Sequence, residues 1–431
     1  MAENWQIIAQ RILDGTWLDR VGAQMSGVTM TWDLSTDQFQ GTITPQDKER
    51  IGSDGRPIFD EWSTALYAVE SGVIRWGGLL VDSDFTGPGW VLNAVGFRGY
   101  PNGNIYNGAV YSQNAVDPLN VVRYLWSYLQ SQPNGNLGLS VDTTASTSRV
   151  GAAQYVVAPG NQTLTQIATA NNLTLAQIQT LNTTANRQAN GYTLQVLPAT
   201  GNVPAGAPVI TALAPYTLAW YNASDCGQTL SDLAQGTPFD MSESHAWTDS
   251  TQNAVSHRLI LGYPRIGTRQ QNLRFVEGQN ISQLATTSRN GTSYANELLG
   301  VGAGTGSTAV RASIGAPDAN RLRRCGSVVN QTVTDAGQLS VLAQRVLTAL
   351  KSPLAGQIDS CTWVNHPDAP LGSFAQGDDI LVSVRNGWLA GQDIWHRITS
   401  YTYQPATRTG TLTMARSDSF TYEPSGTTVA S

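Results

Sequence analysis

Val28-Thr29-Met30-Thr31-Trp32-Asp33-Leu34 alternates apolar and polar side chains. After the polar Ser35-Thr36-Asp37 turn the alternation resumes at Phe39, Gly41 and Ile43. A period of two puts every apolar group on one face of a strand, so this stretch predicts two strands with one buried face. Working outward, Thr64 to Glu70 and Val73 to Val81 are two further β-like runs. Only Ser71-Gly72 separates them, which predicts a tight hairpin. Gly87-Pro88-Gly89 then turns the chain into Trp90 to Phe97. Short strands at regular spacing with glycine punctuation predict an antiparallel barrel or sandwich.

The pattern changes at Asp117. Asp117 suits an N-cap, Pro118 suits the first helical position, and Val121, Val122, Leu125, Trp126 and Leu129 lie on one helical stripe. Pro133-Asn134-Gly135 ends that helix, and Leu137 to Val141 reads as a short strand. Thr143 to Ala153 has the composition of a linker.

Residues 154–198 differ in texture, with Arg187 as their one charged residue. The predicted order is strand (Tyr155 to Val157), turn, helix (Thr163 to Ala170), helix (Thr174 to Leu181), strand (Thr193 to Leu197). Thr163 and Thr174 are candidate N-caps, and Thr174 with Gln177 fits a capping box. The proline- and glycine-rich stretch from Pro198 to Pro208 reads as a second linker. A β-α-α-β unit between two linkers reads as an insertion into a larger fold. Farther on, helices are predicted at Asp225 to Ala234 and after Asp335, where Leu339, Leu342, Val346 and Leu350 face a core. Strands are predicted at Val255 to Leu261, Ile380 to Arg385, Trp395 to Tyr403 and Thr411 to Ala415. Asn386-Gly387 is a hairpin signal.

Composition narrows the function. The 431 residues suggest about three domains. Lys+Arg is 25 and Asp+Glu is 31, giving a net charge of −6. Charged residues are 13% of the chain, against ~25% in ordinary soluble domains. Lys48 and Lys351 are the only lysines. A charge-driven nucleic-acid binder needs a basic face, and a Walker A loop needs a lysine in GxxxxGK[ST]; neither is present. The first residues show no secretory signal, and no apolar run approaches the ~20 residues of a membrane span. Cys226, Cys325 and Cys361 form neither a CxxC pair nor a zinc pattern, so three buried free thiols and synthesis in a reducing cytoplasm are expected.

No catalytic constellation stands out. His245, His257, His366 and His396 form no HxxxH or HExxH motif. There is no GxSxG elbow. Cys226 with His245 or His257 is conceivable as a Cys–His pair, but Asp225-Cys226-Gly227 opening a helix equally suits a buried small residue. Asp60/Glu61 and Asp82/Asp84 read as solvated acids rather than glycosidase carboxylates. Gly300-x-Gly302-x-Gly304-x-Gly306 reads as a turning loop, because Ser307 to Ser313 looks β-like and no helix would face a phosphate. Arg321, Arg323 and Arg324 suit an anion site or, better in a self-assembling protein, pairing with acids at a subunit interface. Trp5, Trp17, Trp32, Trp62, Trp76, Trp90 and Trp126 read as core. No enzymatic activity, metal or cofactor is expected.

Two resemblances add to this. Tyr155-Val156-Val157, Gly160, Thr163-Leu164, Ile167-Ala168, Leu181-Asn182, Gly191 and Leu194 to Pro198 resemble a LysM module. The family's Gly-Asp-Thr-Leu is here Gly160-Asn161-Gln162-Thr163-Leu164, one residue longer and without the acid. The resemblance implies a shallow groove for N-acetylglucosamine chains between two loops. The implied glycan contacts are Gly160, Asn161, Gln162, Thr163 and Leu164 in the first, and Asn182, Thr183 and Thr184 in the second.

The rest of the chain resembles the minor tail proteins that form the tail-tip (baseplate) hub of long-tailed actinobacteriophages. The resemblance rests on Trp32-Asp33-Leu34 with Gly41-Thr42-Ile43, Asp54 to Pro57, Gly96 to Pro101 and Asp117-Pro118-Leu119. It continues through Asp225-Cys226-Gly227, Thr237 to Asp240, Leu261 to Arg265, Phe275 to Asn280 and Gly300 to Gly304. It implies a mainly β fold with α+β parts, built of tail-tube-like β-barrel hub domains plus the inserted module. The implied division is 1–112, an N-terminal hub barrel; 113–153 with 199–270, a second hub domain; 154–198, the LysM-like insertion; and 271–431, the C-terminal hub domains with a barrel.

The hub resemblance also implies a homotrimer in the virion of a siphophage, made in the host cytoplasm. It would join the tail tube to the host-contacting tip and line the DNA exit channel. Implied partners are the distal tail protein, the tape measure protein, other minor tail proteins, host peptidoglycan, and phage DNA in transit. A channel lined by acids would not retain DNA. The competing reading is a tail-associated cell-wall hydrolase, which the missing nucleophile or metal set disfavours.

Overall fold

In the computed structural model the alternating stretch becomes two strands of an antiparallel sheet. The first third of the chain contains β1 (Trp5–Arg11), β2 (Trp17–Arg20), β3 (Ser26–Asp33), β4 (Gln38–Ile43), the one-turn helix α1 (Pro45–Lys48), β5 (Thr64–Glu70), β6 (Val73–Phe85) and β7 (Trp90–Gly96). The structure describes residues 5–417 except 22–24, 88, 152, 190–196, 199, 214, 238, 289–290, 293, 305, 307–308, 316–317, 331–332, 334–335 and 352–355. Ser71 (φ 48°) and Gly72 (φ 87°) both turn left-handed between β5 and β6, the geometry that a two-residue hairpin demands. β5 is buried along its whole length. Leu66 and Ala68 face one core, while Ala65, Tyr67 and Val69 face a second.

The second core is built on α2 (Pro118–Ser131), which follows the short β8 (Tyr111–Gln113) and precedes β9 (Leu139–Val141). Asp117 caps α2 by accepting the N–H of Leu119. The stripe from Leu119 to Leu129 is buried, with Trp126 fully enclosed. The stretch 143–153 is not a loose linker. Ser146 is buried and both its N–H and its hydroxyl donate to Asp117, while Val150 bridges to Val116.

Next come β10 (Gln154–Val157), α3 (Leu164–Ala170), α4 (Leu175–Leu181), α5 (Thr184–Ala189) and β11 (Pro208–Ala212). Both α3 and α4 carry complete capping boxes, Thr163 with Gln166 and Thr174 with Gln177. The closing strand differs from the expectation. β10 pairs antiparallel with β11, whereas most of the expected strand 193–197 lies outside the described residues. The stretch read as a second linker is part of this core: Val203, Ala207 and Val209 are buried against Leu164, Ile167 and Ile178.

The chain continues through β12 (Tyr216–Leu218), α6 (Cys226–Gly236), β13 (Asp240–Trp247), β14 (Val255–Gly262), β15 (Phe275–Val276) and β16 (Ile281–Ser288). β13 and β14 form a hairpin, and β9 adds to it in parallel. A small α/β unit comes next, with β17 (Glu297–Val301), β18 (Arg311–Gly315), β19 (Cys325–Val329) and α7 (Ala336–Lys351). Leu339, Leu342 and Leu347 of α7 are buried, with Val346 and Leu350 packed beside them. The expected cap Asp335 lies outside the described residues.

The last strands are β20 (Gln357–Val364), β21 (Asp379–Ser383), β22 (Asp393–Tyr403) and β23 (Thr409–Arg416). β21 and β22 pair antiparallel, but not through a two-residue Asn-Gly turn. Asn386 is extended, and Gly387–Leu389 forms a 3-10 turn within a longer connection.

Among the described residues, thirteen strands form one sheet. Its path runs β16-β20-β23-β22-β3-β4-β7-β6-β5-β1-β2, with β21 and β15 branching from β22. The two ends of the chain meet where β3 pairs with β22, and Trp32 stacks on Tyr401 across that seam at 4.6 Å. The protein is mainly antiparallel β with few helices.

Candidate functional site

The two loops implied as a glycan groove have their jobs divided. In the first, Gly160 has φ +87°, and a Cβ there would stand 2.7 Å from Ala205 Cβ, so only glycine fits. The carbonyl of Gln162 accepts from Val203 N–H at 2.8 Å, and Thr163 bridges to Asn202. Thr163 is committed to capping α3, and Leu164 is core. Asn161 is exposed and Gln162 is half-buried.

In the second loop Asn182 is structural. Its Oδ1 accepts the N–H of Ile210 and its Nδ2 donates to the carbonyl of the same residue, both at 2.8 Å. Arg187, 3% exposed, donates to Asn182 Oδ1 and to the carbonyl of Pro208. The module's single charge therefore holds β11 in place. Thr183 and Thr184 are exposed, so Asn161, Thr183 and Thr184 are the fully exposed side chains of the eight. Asn182→Ala would leave both polar groups of Ile210 without their partners. A loss of about 1–3 kcal/mol is expected, read as earlier proteolysis and melting of residues 154–212 while the rest of the chain stays folded.

The imagined Cys–His pair is not formed. Cys226 is fully buried at the start of α6, and burial with the neighbouring Asp225 pushes its thiol up to about 11. A packed thiol held protonated is a poor nucleophile. Cys361 is also buried, but Cys325 is exposed, because β19 is an edge strand. Asp60 pairs with Arg56, and Glu61 pairs with Lys48, so these acids are occupied. Asp82 and Asp84 are exposed on β6.

The first two glycines of the series have packing roles. Gly300 lies within β17, where a Cβ would meet Leu339 of α7 at 3.0 Å. Gly302 lies against the carbonyl of Val333. Small residues here let the helix and its approach pack on the sheet. Arg321 pairs with Asp318 and Arg323 with Glu297, so the acids lie in the same subunit, and Arg324 donates to the carbonyl of Thr292. Trp62 departs from the core reading. It is 54% exposed and adopts φ 59°. Among the described residues, no three His, Cys, Asp or Glu side chains are grouped as a metal site would need.

What sequence reading missed is a buried polar seam between the first sheet and the β13–β14 hairpin. Arg98, in the turn after β7, donates to the carbonyls of Asp33 (2.6 Å), Leu34 (3.1 Å) and Met241 (2.6 Å). It also pairs with Asp37 at 3.1 Å, both side chains being nearly fully buried. The backbone N–H of Arg98 donates to Glu243 Oε2 at 2.8 Å. Burial, with Glu243 adding to it, pushes the Asp37 carboxyl up to about 7 despite Arg98. A cavity of about 220 Å³ opens on Asp37, Arg75, Glu243, His245 and Gln376. Nothing local in the sequence pairs Arg98 with Met241 or Glu243.

Comparison with known proteins gives a fold and no family. No family model matches the sequence, and no curated protein matches it. Among solved structures, the chain is similar to the 43 kDa tail protein of prophage MuSo2 from Shewanella oneidensis. The TM-score is 0.51 at 11% identity, covering 96% of this chain and 98% of that one. A tail protein from Neisseria meningitidis MC58 is similar at TM-score 0.49 and 11% identity, over 96% and 97% of the two chains. Prophage tail protein gp18 from Listeria monocytogenes EGD-e is similar at TM-score 0.49 and 9% identity, over 96% and 95%.

Proposed function

We propose that the chain is a structural component of a phage-type tail: a homotrimeric hub at the tail tip that joins the tube to the host-contacting end and lines the DNA exit channel. The observation that carries this reading is the extent of the likeness to the MuSo2 tail protein, which runs over nearly the whole of both chains rather than over one module. The hub division read from the sequence belongs to this proposal, with the inserted unit extended to β11. Contacts with distal tail, tape measure and other minor tail proteins belong to it as well. A three-fold ring closes with heterologous contacts. The low charge and the excess of acids suit a passage that does not retain DNA. The inserted unit is assigned a LysM-like role at peptidoglycan through Asn161, Thr183 and Thr184, neutral side chains that suit the hydroxyl and amide groups of amino sugars.

The test is native mass spectrometry of the full chain, followed by pelleting with insoluble peptidoglycan or chitin. Trimers are expected, and they should pellet more tightly than a monomeric variant, by up to ~10²–10⁴ through avidity. Asn161→Trp with Thr183→Trp should weaken pelleting and leave the trimer intact. A stable monomer in assembled particles would overturn the hub reading. A trimer that ignores every amino-sugar polymer would overturn the module's role alone.

A further inference from the structure

The β13–β14 hairpin places His245 directly opposite His257, with their Nδ1 atoms 3.0 Å apart. The hydrogen bonds around this pair fix one another in sequence. Gln10 Nε2 donates to the carbonyl of Gly15 at 2.9 Å, which turns Gln10 Oε1 toward Tyr67. The buried Tyr67 hydroxyl donates to that Oε1 at 3.2 Å. Its oxygen is then left as an acceptor for His257 Nε2 at 3.3 Å. So His257 Nε2 carries a hydrogen.

The contact between the two Nδ1 atoms needs one more hydrogen. A neutral pair of imidazoles owns two, and both are now placed. His245 Nε2 would be a bare lone pair, and it faces Glu243 Oε1 at 3.9 Å. The two side chains are 5% and 1% exposed, and among the described residues neither atom has a hydrogen-bond partner. Two buried acceptors facing each other leave both unsatisfied. One hydrogen on His245 Nε2 relieves both and makes a charge-assisted contact.

We propose that His245, His257 and Glu243 form a binding site for one proton beyond the two of a neutral histidine pair, and that this proton sits on His245 Nε2 facing Glu243. The cavity that opens on both residues gives the proton a route to solvent. Asp37 and Arg98 approach from the first sheet, and Arg75 of β6 lines the cavity, paired with Glu70 of β5. The 371–376 segment brings no charge, only the Gln376 amide among its lining polar groups. His257 itself is held neutral, because burial and the neighbouring His245 press it down to about 3. The proton lies on the seam joining the hairpin to the first sheet, so its occupancy ties that joint to pH. This inference stands independently of the tail reading.

The experiment is ¹⁵N NMR of the full chain with labelled histidine, from pH 5 to 9. At pH 6, His257 is expected as the neutral Nε2–H tautomer and His245 with both ring nitrogens protonated. With Glu243→Gln, His245 should carry one ring hydrogen rather than two at pH 6, because the carboxylate that holds the second is gone. Tyr67→Phe removes the constraint on His257. A neutral His245 can then carry its hydrogen on Nε2, and the extra proton is no longer needed. If Glu243→Gln does not fold, Tyr67→Phe carries the test. A His245 that is neutral and protonated on Nδ1 at pH 6 would mean that water fills the gap and would overturn the proposal. So would a His245 protonation pattern at pH 6 that neither variant changes.

Discussion

Arg98→Ala is expected to cost about 3–5 kcal/mol, the range for removing one partner of a buried ion pair. The guanidinium spans the joint between the first sheet and the β13–β14 hairpin, reaching Asp33, Leu34 and Asp37 on one side and Met241 on the other. Its loss leaves three carbonyls without their donor and a buried carboxylate without its cation. Arg98→Lys should recover only part of the loss, because a point charge cannot reproduce the planar fork. Urea midpoints at pH 5 and pH 8 check this, with an unchanged m-value showing that the same surface unfolds. The loss should be smaller at pH 5, where Asp37 holds a proton and no bare charge remains. A loss below about 1 kcal/mol at both pH values would show that water replaces the guanidinium.

This seam marks where sequence reading stops. The strands at 28–43 were legible because one face is buried and the other wet, and α2 because its cap, its proline and its stripe agree. β13 was not legible. Its inward-facing side chains include Glu243 and His245, so the buried face carries no apolar period. β5 was legible as a strand but not as a shared wall, since burial on both faces erases the alternation that would tell two cores apart.

The inserted unit shows the same limit. Its helices announce themselves through capping boxes, while β11 hides in a run of Pro, Gly and Ala whose small side chains pack tightly. Val209-Ile210 is too short a signal to stand out from a linker. The β3–β22 pairing joins opposite ends of the chain, and nothing local encodes it. Of the eight implied glycan contacts, those with a structural job, such as the Asn182 amide on Ile210, could be recognised only once β11 was in place.

Asp37→Asn is expected to gain stability relative to the wild type as pH rises from 4 to 7. The Asp37 carboxyl ionises near its ordinary 3.8 in the unfolded chain, but only at about 7 in the fold, where burial and Glu243 outweigh Arg98. Between those values the folded state holds one more proton than the unfolded state. Its contribution to stability is full below pH 4 and is lost progressively as pH rises toward 7. Asparagine keeps the shape and an oxygen for the Asp33 N–H, but it does not ionise. The difference between variant and wild type should therefore move in favour of the variant as pH rises from 4 to 7, and then stay level. The wild-type curve alone does not show this. His257 is pressed down to about 3 in the fold, so the unfolded state binds more protons between pH 3 and 6.5, which raises stability with pH over much of the same range. Subtracting the two curves cancels His257 and leaves Asp37. A difference that stays constant from pH 4 to 8 would mean that Arg98 keeps Asp37 ionised throughout.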